Sequence, residues 1–108
     1  MIYDMRDMLR HARAEGQVVA SFELLGLDFL GGVLDAAQAV QAPVILGLCE
    51  ARFRHGRFDL MMPSVLDAAR RAGVPVAIHL ERGRTIEAIG HALDAGCNGV
   101  MIDAPAAE

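Results

Sequence analysis

The 108-residue sequence predicts an α/β fold in which four parallel strands alternate with helices. Three observations predict it. Apolar runs begin near residues 18, 44, 74 and 99, at the spacing of roughly 25–30 residues that a strand–helix–strand unit occupies. The stretches between them carry apolar residues at helical spacing. The joints Ala14-Glu15-Gly16, Arg71-Ala72-Gly73 and Asp94-Ala95-Gly96 each precede a strand, and strict alternation of this kind implies a parallel sheet with crossover helices.

Asp4 is placed to cap a first helix with Met5, Met8, Leu9 and Ala12 on one face, closed by Gly16. Val18–Phe22 reads as a short strand. A second helix is expected over about Leu27–Ala39, with Leu27, Leu30, Leu34 and Ala37 at helical spacing. Gly31-Gly32 weakens it but would admit a close neighbour. Val44–Cys49 is an uninterrupted apolar run of the kind buried on both faces of a parallel sheet. A polar, arginine-bearing loop, Glu50–Phe58, leads to a third helix over about Asp59–Ala72 that stops at Gly73. Val74–Leu80 is the next strand, its proline tolerable only near the start. Thr85 caps a fourth helix that Gly96 closes, Gly99–Asp103 is the last strand, and residues 104–108 read as a frayed tail. Met5/Met8 and Met61/Met62 read as core fillers, and His11, His55 and His91 as surface residues.

Composition narrows the function classes. With 54% hydrophobic residues and a net charge of −4, the chain lacks the basic footprint of a nucleic-acid binder. All ten cationic side chains are arginine, so no lysine Schiff base and no phosphate-loop lysine is available. Cys49 and Cys97 fall at opposite ends of different strands, on the order of 15 Å apart, beyond disulfide reach. Reduced thiols, with no apolar leader over Met1–Met8, point to a cytoplasmic protein. The stretch Phe29–Cys49 is broken by Asp35, Gln38, Gln41 and Pro43, which disfavours a membrane span.

Reactive groups of parallel β/α folds gather at the C-terminal ends of strands. Here those ends read Phe22-Glu23, Cys49-Glu50, His79-Leu80-Glu81-Arg82 and Ile102-Asp103. Strand-end acids also cap helices or face solvent. His79 and Glu81 are two apart, so an extended strand points them the same way, a pair suited to proton transfer or to a shared metal. A hydrogen-bonded core histidine is the competing reading.

Ser21-Phe22-Glu23, Ala42-Pro43-Val44-Ile45-Leu46-Gly47, Val76-Ala77-Ile78-His79-Leu80, Asp94-Ala95-Gly96 and Val100-Met101-Ile102-Asp103-Ala104 resemble the class II, zinc-dependent fructose- and tagatose-bisphosphate aldolases. The segments occur in family order and at family spacing over nearly the whole chain. The resemblance implies residues 1–108 as a single domain, a (β/α)₄ half of a TIM (β/α)₈ barrel. It also implies the family reaction, aldol cleavage of a ketose bisphosphate to dihydroxyacetone phosphate and an aldehyde.

The family's third strand ends His-Leu-Asp-His-Gly, where the aspartate is the acid/base and the second histidine a zinc ligand. This chain reads His79-Leu80-Glu81-Arg82-Gly83. Glu81 retains a carboxylate but adds a methylene, a displacement of about 1 Å that costs on the order of 100-fold in rate. Arg82 stays protonated and cannot ligate zinc. Cys49 replaces a family serine, Pro105 and Ala106 replace a serine and a histidine, and Asp103 matches an aspartate that organises the site. The remaining zinc and phosphate ligands belong to the family's second half. The expectation is therefore Glu81 as the catalytic residue, with Glu23, Cys49, Glu50, His79, Arg82 and Asp103 around substrate, and no metal ligand or cofactor.

Four strands cut from a barrel would leave two open edges and an apolar inner face. The expected partner is a second copy in a two-fold homodimer, or a second half-barrel chain. The function expected is that of an aldolase-derived pseudoenzyme or subunit, inactive alone, with Arg52, Arg54, Arg57 and Arg82 available to a sugar phosphate. The alternatives are a carbon–carbon lyase completed by a partner, with Mg²⁺ or Mn²⁺ on carboxylates such as Glu50 and Asp103, or a truncated fragment without function.

Overall fold

A computed structural model describes residues 1–49 and 57–103. The elements run α1 (Met5–Ala14), β1 (Ala20–Glu23), α2 (Leu27–Val40), β2 (Val44–Cys49), α3 (Arg57–Arg71), β3 (Val76–Gly83), α4 (Ile86–Ala95) and β4 (Gly99–Ile102). The strands form one sheet in the order β1-β2-β3-β4, and every pairing is parallel. The expected alternation is therefore present.

Strand periodicity divides the sheet into two faces. Val44, Leu46 and Leu48 of β2 and Val76, Ile78 and Leu80 of β3 join Leu30 and Leu34 of α2, Phe58, Met62, Val65 and Ala69 of α3, and Ala92 of α4 in one core. Each fully buried side chain of this kind stabilises the fold by roughly 1.5–3 kcal/mol. On the opposite face α1 crosses the strand starts, where Met8 packs on Ile45 and Ala77 with Met5 and Val19 beside them.

The caps act where the residues suggested. Asp4 accepts from the Asp7 amide and Thr85 from the Ala88 amide. Gly16 and Gly96 take the positive φ values of 68° and 122° that end α1 and α4. Several expectations need correcting. Leu9 and Leu27 are exposed: α1 packs on the sheet through Met5 and Met8, and Leu27 sits at the uncapped first turn of α2. Nothing lies within 4 Å of a Cβ built at Gly31 or Gly32, so the described residues supply no neighbour to the space they leave. β1 begins later than expected because Ala20 meets Val44, the first residue of β2, which leaves Val18 exposed. β3 starts after Pro75, which has no N–H to give, and the Val74 carbonyl accepts from the Met1 ammonium at 2.9 Å.

Met1–Tyr3 does more than lead into α1. The Val76 amide donates to the Met1 carbonyl at 2.7 Å, and the Tyr3 amide donates to the Val76 carbonyl at 2.9 Å. The segment thus occupies the edge of β3 below β4. Asn98 completes the ladder between them, its Oδ1 accepting from the Ile78 amide at 3.1 Å and its Nδ2 donating to the Tyr3 carbonyl at 2.7 Å.

The inner face is not the open apolar surface expected of a cut barrel. α1 covers its lower part, and its upper part carries glycine and polar side chains. Exposed apolar surface lies instead on the helix side, along a groove between β1 and α2 lined by Phe22, Phe29, Val33, Val40 and Pro43. No helix among the described residues is long and apolar enough to cross a membrane.

Candidate functional site at the strand ends

The parallel register sets Glu23, Gly47, His79 and Gly99 opposite one another, one from each strand, in a single row across the sheet. Cys49 and Glu81 face each other one level higher. The row alternates a polar side chain with a glycine, and the glycines leave space that Glu81 uses at Gly47 and that Met5 and His79 use at Gly99. A methyl at Gly47 would overlap Oε1 of Glu81 and stand 2.8 Å from its Cδ, so the Glu81 carboxylate folds back over β2. A methyl at Gly99 would overlap Sδ of Met5 and stand 3.1 Å from Cδ2 of His79.

His79 is half-buried, and burial lowers its proton affinity below that of a free imidazole, an effect the Glu81 charge partly offsets. The pair whose spacing suggested one direction does interact electrostatically, although β3 loses its simple period just beyond. Its register with β4 shifts between Leu80 and Gly83. Within that irregularity Arg82 is exposed and holds φ at +55°, a left-handed backbone rare for a side-chain-bearing residue. Gly83 is buried there, because a Cβ would stand 2.7 Å from Cγ1 of Ile89.

Asp103, on the rim after β4, lies 3.8 Å from Nε of Arg84 and donates its amide to the Gly83 carbonyl at 2.9 Å. Glu23 is partly buried at the end of β1, and Cys49 is buried at the end of β2. The other thiol, Cys97, sits in the helix-side core, where burial pushes it up to about 12. His91 is exposed as expected but is paired with Asp59 and stacked obliquely on Phe58. Glu50, Arg52, Arg54, His55, Pro105 and Ala106 lie outside the described residues.

The fold therefore sets Glu81 over Gly47 and His79 beside Gly99, on the two sides of β3, while Asp103 engages Arg84. Among the described residues no three His, Cys, Asp or Glu side chains converge as a metal site would require. A guanidinium offers no lone pair to a metal, so Arg82 supplies no ligand at the end of β3. Gly47, Gly99 and Asn98 were not singled out by sequence reasoning. A glycine inside the apolar run of β2 was the available signal for the first of them.

Comparison with known proteins places this geometry. The family model described as fructose-bisphosphate aldolase class-II matches residues 3–108. A fructose-bisphosphate aldolase of Thermus caldophilus is 40% identical over 97 residues, covering 90% of this chain and 32% of the relative. One from Staphylococcus epidermidis is 39% identical over 106 residues, covering 95% and 37%. The chain thus spans about a third of the length of these relatives. The crystal structure of the YdjI aldolase of Escherichia coli K12 superposes with a TM-score of 0.89 at 29% identity, over 94% of this chain and 39% of that one. A second solved chain, from Coccidioides immitis, shares the fold at a TM-score of 0.83 and 22% identity, over 92% and 35%. With a family match over almost its full length, four parallel strands in barrel order and polar strand ends in register, this chain belongs to the class II fructose-bisphosphate aldolase family.

Proposed function

We propose that this chain is an aldolase-lineage subunit that does not itself cleave a ketose bisphosphate and that acts by binding a partner or a phosphorylated sugar. The observation that carries the reading is Arg82, a permanently charged guanidinium at the position where the resemblance calls for a metal-binding imidazole. Without that ligand the metal cannot polarise the ketose carbonyl or hold the developing enediolate, and no lysine offers the imine route. Arg82, with Arg57 at the start of α3, supplies positive charge for a phosphate. A coupled retro-aldol assay on the purified chain with added zinc tests the reading. No turnover and no stoichiometric zinc are expected, and zinc-dependent cleavage of a ketose bisphosphate would overturn it.

One observation favours a second reading. Glu81 and His79 share the inner face, and the Glu81 charge acts on the imidazole, as general acid/base chemistry could use. A lyase completed by a partner chain, with Mg²⁺ or Mn²⁺ on carboxylates such as Glu50 and Asp103, would keep them for proton transfer. In that case activity with manganese disappears in Glu81→Ala and persists in Arg82→Ala.

The partner proposed is a second copy. β1 and β4 are the edges of the described sheet, and Phe22, Met101 and Ile102 on them are exposed. A two-fold axis along the strands would set β4 of each copy beside β1 of the other in parallel. A second half-barrel chain is the alternative occupant. Sedimentation at low micromolar concentration should give a dimer, and a compact, cooperatively folded monomer would exclude it.

A further inference from the structure

We propose that Gly47 is a positioning residue whose missing side chain seats the Glu81 carboxylate over β2, on the row that holds His79. The inference rests on the reading of Glu81 as the site's acid/base, but its test follows the position of the carboxylate rather than turnover.

The register makes the case. Gly47 is directly opposite His79, and Glu81 is opposite Cys49, one level higher. Glu81 therefore reaches diagonally backwards to occupy the volume above Gly47. Its Oε1 would overlap a Cβ there, and its Cδ and Cγ would stand 2.8 and 3.4 Å from it. Glycine inside a strand weakens it, yet this one interrupts a run in which every residue is buried. Folded back, the longer side chain spends its extra methylene along the sheet instead of projecting it beyond the strand ends. An aspartate at 81 would place its carboxyl carbon where Cγ of Glu81 now lies, 3.4 Å from a methyl at 47, and its oxygens could turn away about χ2. The overlap with that methyl thus follows from the longer reach of glutamate. The charge of Glu81 acting on His79 agrees with the carboxylate lying on the histidine's level.

The test is a set of variants of the full 108-residue chain, Gly47→Ala, Glu81→Asp and Gly47→Ala/Glu81→Asp, with the imidazole of His79 titrated by NMR in each. Gly47→Ala should evict the carboxylate, so that His79 titrates at lower pH than in the unaltered chain. In the Glu81→Asp background the same alanine should leave the titration unchanged. An unshifted His79 in Gly47→Ala would overturn the proposal, as would an equal shift in both backgrounds, which would mark a general disturbance of the sheet. If Gly47→Ala does not fold, the background decides. Folding restored by Glu81→Asp supports the seat, and a double variant that stays unfolded refutes it. If the seat is confirmed while no lyase activity appears under any metal, the geometry stands and only the catalytic reading of Glu81 fails.

Discussion

The two faces of the sheet are made from the same strands, often from adjacent residues, and they serve opposite ends. On β3, Ile78 and Leu80 are almost wholly buried against the helices, while their neighbours His79 and Glu81 are part-exposed on the other side. The helix face is filled by large aliphatic side chains. The inner face gives up that packing at Gly47, where the Glu81 carboxylate lies, and at Gly99, where Met5 and His79 lie. Stability and chemistry are thus separated by one residue of register, and a one-residue slip would exchange them.

The sharpest way to break this division is to remove mass from the helix face. Leu80→Ala deletes a side chain that touches the core shared by α2, α3 and α4. It should cost about 2–5 kcal/mol, read as a lower urea midpoint. Glu81→Ala, one residue on, should leave the midpoint within about 0.5 kcal/mol of the unaltered chain. Equal losses from the two substitutions would dissolve the distinction between the faces.

A smaller effect tests how the sheet is closed beneath the site. Asn98→Ala removes the side chain that accepts from the Ile78 amide and donates to the Tyr3 carbonyl, both part of the ladder at the edge of β3. Leaving these groups without partners should cost about 1–3 kcal/mol. Amide exchange should quicken at Ile78 and Val76 before it does in β2. Uniform acceleration across the sheet would show that Asn98 supports the whole fold rather than this edge.

The helix layer offers a gain instead of a loss. Gly31 lies in α2 with open space where its Cβ would be, and its φ is not positive. Gly31→Ala should therefore stabilise the chain by about 0.5–1 kcal/mol, seen as a raised midpoint in urea. A loss of stability would mean that another surface lies against α2.

The helix face was legible in the sequence because its determinants are local. Val44–Cys49 announces a buried strand by composition, and Asp4, Thr85, Gly16 and Gly96 mark helix ends by the hydrogen bonds and dihedral angles they permit. Strand ends carrying Glu23, Glu81 and Asp103 were legible for the same reason. What could not be read depends on register and on contacts distant in the chain. Gly47 has a role only because Glu81 arrives above it, and Gly99 only because Met5 and His79 do. The left-handed turn at Arg82 arises from a shift against β4, which no spacing within β3 reveals. Likewise Met1–Tyr3 became an edge partner of β3 through backbone groups alone, to which side-chain patterns are blind.

The least costly test of the division uses pH. Burial lowers the proton affinity of His79 in the folded chain, and Glu81 offsets part of that effect. An imidazole with a folded pKa below its unfolded value binds protons more readily once the chain unfolds. Stability from this group is therefore complete above the unfolded value, near 6.5. It declines as pH falls through that value toward the lower folded one. Between those limits the urea midpoint should rise with pH, and His79→Gln should flatten that part of the profile. Glu81→Ala should have the opposite effect. With the neighbouring charge gone, His79 resists protonation further, so the window widens toward acid and more stability is lost across it. The comparison of the two profiles separates burial from charge. A steeper acid limb in Glu81→Ala than in the unaltered chain places the carboxylate beside the imidazole in solution. Identical limbs would put it elsewhere and leave the inner face with two unconnected polar groups.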